Sequence, residues 1–524
     1  MMRHLLFVLS LFALLGVGCN TAVSEPTPTQ TATPIPSPTA VATEVIVTET
    51  AVAKPSPTNT PIPTNTPVPS PSPTPFPVNF DDGYITNVIL SSQGQLAYIR
   101  NEILYVESAP QSRKFEELGQ YPIIAIWSPD GSQLFYSKAD RSSAGYDDAA
   151  TIYDQRIWSA NDGSDMSLTE LITNYPTPLP NIEIAYWTSD GTKILLQENL
   201  KEEEVEENNY LYHFRLGAVD LRSKTLLENQ LINSNQHVTW ISDDVYVTRF
   251  LCGSPCLDIA AYDYEGNLLW SPYWTTGGFF AFAPKENFMI NVGRIDTDLT
   301  DDIPTEPYLP TLDKIDLATG DVEVIWNLPV RDEYFTPFIM PSISPDEQHF
   351  TFNFGGGVQN PGTLYVVDNT GNELGQYSNS FPVGWRENGD LVIAQMLETG
   401  ESQLKLISLD GAIQSIFTTD ANVKIDSGIW EVNGDRGWSP DGRYFIFSTE
   451  DTNNQSAWIY IWNHELEEPL LIHSIEGSAF QNFNWLPDST GVYFTSGSKW
   501  EQEAIWYFDV SSRELELIAP IIVR

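Results

Sequence analysis

A short phrase recurs nine times along this chain: a large apolar residue followed by a polar tight turn. The clearest copies are Trp127-Ser128-Pro129-Asp130-Gly131 and Trp438-Ser439-Pro440-Asp441-Gly442, and weaker ones begin at Leu90, Trp187, Trp240, Phe282, Ile343, Trp385 and Trp485. Successive copies lie 37 to 61 residues apart, the spacing of stacked or circular repeat folds. Ser opening a type I turn, Pro with its fixed φ, then Asp, then Gly where φ turns positive make a hairpin loop closed by a bulge. One strand must therefore enter each phrase and another must leave it.

The leaving segments 133–137 (QLFYS), 193–197 (KILLQ) and 444–448 (YFIFS) are rich in aromatic and aliphatic residues, as strands are. A third strand follows in each unit, as at 156–159, 363–367, 458–462 and 504–508, and a Gly- or Asp-containing turn leads to a fourth, as at 321–326 and 514–518. Four antiparallel strands per unit make one propeller blade. The expected fold class is all-β, a single β-propeller over residues 79–524. Direct counting gives nine blades, or eight if a weak unit such as that at Phe282 is an excursion. The tryptophans that open the phrase are expected between neighbouring blades.

Residues 1–18 read as an export signal, with Arg3 ahead of an apolar run that is too short to span a bilayer stably. Gly18-Cys19 at its end resembles the cleavage site of bacterial lipoprotein signals, which implies a lipid on Cys19. Gly16 stands where that family usually has Leu, and plain secretion is the alternative. Residues 19–78 are rich in Thr, Pro and Ser, cannot bury a core, and read as a disordered stalk. In polyproline conformation it could hold the domain up to about 170 Å from a membrane. The expected location is outside the bacterial cell, anchored to membrane or envelope by the lipid alone.

Against 26 Lys and Arg stand 70 Asp and Glu, a formal net charge of −44. Such a chain repels phosphate backbones and anionic head groups, which disfavours nucleic acid and direct membrane-surface binding. Proteins, basic peptides and glycans remain as partners, and solubility is a competing reason for the charge. Beyond Cys19 the only cysteines are Cys252 and Cys256, in Cys252-Gly253-Ser254-Pro255-Cys256. In an exported protein this spacing reads as a disulfide closing a loop; a zinc site would need further ligands, and no His lies close by.

Repeats of Trp-Ser-Pro-Asp-Gly, then an apolar strand, then an Ile-Trp or Ile-Tyr strand and a turn, resemble the WD-like propeller repeats of the TolB type. Residues 128–163 and 439–464 match closely, while 282–286 and 90–94 match only in pattern. The repeats are also similar to the propeller parts of prolyl oligopeptidase and dipeptidyl peptidase. The resemblance implies a propeller and leaves function open. Those peptidases need a Gly-x-Ser-x-Gly nucleophile turn in a hydrolase domain; no such pattern occurs in this sequence, so serine peptidase activity is not expected. The six histidines are scattered, unlike the His-rich metal centre of the propeller lyases.

In such a blade the first-to-second and third-to-fourth turns share one face, and the second-to-third loops and blade links share the other. The first face is terse, and the long insertions all belong to the second. Function on a rigid scaffold is carried by such loops. Candidate ligand-binding residues are Tyr146, Asp147 and Asp148 in one insertion, Trp274 in a blade link and Trp500 in another loop; the tryptophans could stack on sugar rings or methylated cations. Asp296, Asp298 and Asp302 offer oxygen ligands suited to Ca2+, without matching the EF-hand pattern, and a solvated acidic loop is the alternative. No cofactor is required by anything in the sequence. The run Glu202-Glu203-Glu204-Val205-Glu206-Glu207 reads as a solvated, mobile tip.

Three functions stay open: a surface-anchored, non-catalytic binding module gripping a protein, peptide or glycan; a scaffold subunit of a cell-envelope assembly, as the TolB resemblance implies; and a metal-dependent propeller enzyme acting on polysaccharide.

Overall fold

A computed structural model describes residues 88–520 except 101–102, 121, 123, 141–150, 174–181, 207–208, 234–235, 242–244, 254–255, 264–266, 272–274, 284, 296–310, 328–340, 355–361, 426–436, 452, 454–455, 477–482 and 499–500. Nine four-stranded antiparallel units follow one another at 88–120, 125–167, 182–233, 236–270, 275–327, 342–378, 380–418, 423–476 and 483–520, and they form a nine-bladed β-propeller. The unit at Phe282 is a complete blade, its first strand Thr275–Ala283 pairing with Phe288–Ile295. The count of nine therefore stands over eight. Blades 4 and 5 are joined further, because Cys256 and Leu257 pair with Thr276 and Thr275 across the gap between them.

The turn chemistry is that of the repeated phrase. The Ser128 hydroxyl donates to Asp130 Oδ1 at 2.6 Å and accepts the Gln133 N–H at 2.9 Å, while the Gly131 N–H closes on the Ser128 carbonyl at 2.8 Å. Gly131 and Gly442 take φ of 69° and 65°. Three weaker copies put a non-glycine in left-handed backbone near the same place: Asn287, Glu347 and Ser489.

Side chains alternate along each strand, so a blade presents one apolar row to each neighbour and the core divides into seam clusters. Blades 7 and 8, for example, share Val392, Leu404, Phe445, Phe447, Trp438 and Trp462. Trp127, Trp187, Trp385, Trp438 and Trp485 are all buried at such seams, as the repeat led us to expect. Three of them also donate their indole N–H to the preceding blade: Trp187 to the Ile126 carbonyl, Trp385 to Ser342 Oγ and Trp485 to the Gly437 carbonyl, at 3.1–3.2 Å.

The fourth strand is the outer edge of each blade. In eight of the nine blades the pairing of third and fourth strands is broken by a register shift, as between Leu404 and Lys405 or Ile459 and Tyr460. Such bulges twist an edge away from further pairing.

One expectation is overturned. The acidic run at Glu202 is strand rather than loose tip: Lys193–Glu206 pairs with Asn209–Asp220 through Glu202↔Tyr212, Glu203↔Leu211 and Glu204↔Tyr210. The first strand of that blade, Ile182–Trp187, accompanies the hairpin only as far as Glu198 and the fourth, Thr225–Asn233, only as far as His213 opposite Lys201, so the hairpin runs on from Glu202 as a two-stranded ribbon. Local charge repulsion argued for a loop, and the β-forming partner segment (NYLYHF) outweighs it.

Candidate binding face

Because every blade repeats one antiparallel order, the two kinds of turn leave from one end of the ring and the second-to-third connections from the other. The two faces differ in what their polar groups are doing. On the turn face the carboxylates are engaged by their own turns: Asp190 accepts from Thr188 and Thr192, Asp368 from Thr370 and Asn372, and Asp509 from Ser511 and Ser512. Neighbouring turns are also tied together. Gln93 Nε2 donates to the Asp130 carbonyl at 2.9 Å, the Asp441 N–H donates to Ser489 Oγ at 3.0 Å, and Glu347 accepts the N–H groups of Lys285 and Glu286 at 2.9 and 2.7 Å. The left-handed Glu347 and Ser489 thus use the side chain that glycine lacks to hold the turn of the preceding blade.

These bonds have an electrostatic consequence. For Asp130, Asp190, Asp346 and Asp441 burial works against the charge, yet hydrogen bonds from the turn outweigh it and hold the carboxyls below their ordinary range. For Asp368 burial is likewise outweighed, chiefly by the Asn372 side chain and Thr370, and its value falls to about 2. Glu347 runs the other way, since burial pushes its carboxyl up.

In an unfolded chain an Asp carboxyl titrates near about 3.9. The stability contributed by the depressed groups is therefore fully present above roughly pH 4 and is lost as pH falls through their folded values. Asp368→Ala, which removes four hydrogen bonds, is expected to lower unfolding free energy by about 1–2 kcal/mol at neutral pH and by much less near about pH 2. Denaturant titrations at the two pH values check this, and equal losses at both would contradict it.

Several second strands carry buried polar residues in their later halves or middles, among them Ser137, Thr248, Asn353 and Ser496. Ser137 Oγ accepts the Ile124 N–H, Thr248 Oγ1 donates to the Ala260 carbonyl, Asn353 Nδ2 donates to the Ser380 carbonyl, and Ser496 Oγ accepts from the Trp506 indole. Three of these bonds are to backbone and one is to a side chain.

The candidate residues all map by connectivity to the face opposite the turns. Tyr146, Asp147 and Asp148 lie between Gln133–Asp140 and Thr151–Ser159; Asp296, Asp298 and Asp302 lie between Phe288–Ile295 and Thr311–Asp316; Trp500 lies between Gly491–Ser498 and Glu501–Asp509; and Trp274 lies in the link before Thr275–Ala283. These eight positions, like Cys19, fall outside the described residues. Cys252 is the last residue but one of a hairpin strand that ends at Gly253, and Cys256 begins the next, opposite Gly253; the side chains of both cysteines likewise fall outside the described residues. Among the described residues no three His, Cys, Asp or Glu side chains gather as a metal site requires. Sequence reasoning missed Glu347 as a link between turns and Arg113 as a contact between the first and last blades, since neither carries a motif.

The sequence matches no family model and no curated protein. Among solved structures, the chain is similar to dipeptidyl peptidase 4 of Porphyromonas gingivalis, with a TM-score of 0.49 and 10% identity over 76% of this chain and 59% of that one. It is also similar to an oligogalacturonate lyase in complex with manganese (TM-score 0.36, 12% identity, 81% and 98% covered) and to TolB from Acinetobacter baumannii (TM-score 0.29, 13% identity, 63% and 80% covered). The chain thus spans 59% of the length of the dipeptidyl peptidase it matches.

Proposed function

We propose that this protein is a non-catalytic binding module, held at the cell surface by a lipid on Cys19, whose long-connection face grips a basic segment of a protein or peptide, with a glycan as the other ligand class. One observation carries the reading: the two ends of the ring are chemically unequal. Turn-face carboxylates are spent on their own turns and on neighbouring ones, which leaves few groups free to recognise a partner. The opposite end carries the long insertions, including the acidic ribbon that runs beyond its blade. Acidic connections that leave one end of the ring would focus a negative potential there. A net charge of −44 selects for cationic partners.

The test is a screen of peptides and glycans against the domain from Asn79 onward, with metal analysis of the same sample. A basic ligand is expected to lose affinity roughly tenfold or more between low and physiological salt, as exposed charge pairs are screened. Asp296→Asn, Asp298→Asn and Trp500→Ala should each weaken binding, whereas Asp410→Ala on the turn face should not. Binding abolished by turn-face substitutions that spare folding, and untouched by the loop changes, would place the site on the wrong end.

A further inference from the structure

A ring of nine blades has nine seams, and the chain crosses eight of them as it passes from one blade to the next. The seam between blade 9 and blade 1 has no such link. It is closed by a cluster formed by Val88, Leu96 and Tyr98 from one side and Leu486, Tyr493 and Ile505 from the other, and among the described residues no strand is exchanged across it.

Over this seam lies a turn unlike the others. Between the third and fourth strands of blade 1, Gln111 and Arg113 both adopt left-handed backbone, with φ of 55° and 57°. Left-handed non-glycine residues cost energy and persist only where the surroundings fix them. What fixes these two is Glu107, whose side chain is fully buried: its carboxylate accepts the N–H groups of Gln111 at 3.2 Å and Arg113 at 2.7 Å. So held, Arg113 reaches across the seam. Its guanidinium lies 4.3 Å from the ring centre of Tyr507 and 5.3 Å from that of Tyr493, donates to the Tyr493 hydroxyl, and pairs with Glu516 at 3.4 Å. Every one of these partners belongs to blade 9.

We propose that Arg113, braced by Glu107, is the clasp of the ring, and that the seam it spans is the joint that opens first when the clasp is lost. The argument is one of effective concentration. At the eight linked seams a separated pair of blades stays tethered by a link of 1 to 14 residues and re-forms readily; at the ninth, among the described residues, only side-chain contacts oppose separation. An arginine stacked on two tyrosines within one otherwise apolar seam is a strong contact of this kind, and lysine cannot reproduce its planar fork.

Amide hydrogen exchange of the full chain, read by mass spectrometry, tests the clasp. Arg113→Ala should speed exchange roughly tenfold in 88–120 and 483–520 while leaving 342–418 unchanged, and Arg113→Lys should give a smaller rise in the same two blades. Arg386 supplies the control: it lies 5.2 Å from the Trp438 ring across the linked seam between blades 7 and 8, so Arg386→Ala should not open its seam. If Arg113→Ala fails to fold, Arg113→Lys and Glu516→Gln, the latter removing only a half-exposed partner, carry the test. Faster exchange spread evenly over all nine blades, no local change in any folded variant, or equal opening at the Arg386 seam would overturn the proposal.

Discussion

Replacing Trp438 by Ala is expected to destabilise the propeller by about 3–5 kcal/mol, the range for large aromatic truncations in a packed core. Trp438 is 6% exposed and joins the apolar rows of two blades at once. Its ring meets Phe445 at 5.0 Å and Trp462 at 6.3 Å, and Arg386 lies over it. Truncation leaves a cavity at a seam, where both blades would have to shift to fill it. Trp127, between blades 1 and 2, should behave alike, since it is equally buried and meets Trp158 edge-on at 6.0 Å. Trp438→Phe keeps most of the contact and should cost less than half as much. Denaturant midpoints for the three variants measure this, and a parent-like midpoint for either alanine variant would show that the seams do not depend on these rings.

The second large effect concerns location. Cys19→Ser is expected to move the protein from the membrane fraction to the aqueous phase, or to leave it unprocessed. Each buried methylene of an acyl chain contributes about 0.8 kcal/mol, so two or more chains make attachment stable and their loss should release it. The acidic domain should not hold to anionic head groups by itself. Fractionation of cells expressing the two forms, with mass measurement of the mature N-terminus, decides it. Unmodified wild-type protein in the aqueous phase would remove the anchor from the proposed function.

The nine-fold architecture was legible because the turn is a local event: Ser, Asp and Gly at fixed offsets satisfy one another's backbone within six residues, so the signal survives in sequence. It faded where the left-handed position is filled by Asn287, Glu347 or Ser489. Two of these residues gain a bond to a neighbouring turn, from a residue 48 to 62 positions away, and no local pattern records that. The ribbon at Glu202 was misread because its pairing depends on the partner strand more than on its own charge. For the candidate face the sequence supplied topology, which end each insertion leaves from, but not the placement of Tyr146, Trp274 or Asp296. Arg113 was invisible for the plainest reason: its partners lie 380 to 403 residues further along.

That separation also sets a timetable. Each blade is built from consecutive residues, so its ladder can form as soon as its own 35 to 55 or so residues are available, and such local pairing is fast. Its flanks mature later. The side of blade 1 that carries Leu96 and Tyr98 must wait for Leu486 and Tyr493. At synthesis rates of about 5–20 residues per second that wait is roughly 20 to 80 seconds, during which an apolar surface stands open on an otherwise finished unit. The nascent chain is thus most exposed to chaperones, and to mispairing with other copies, at its oldest blade.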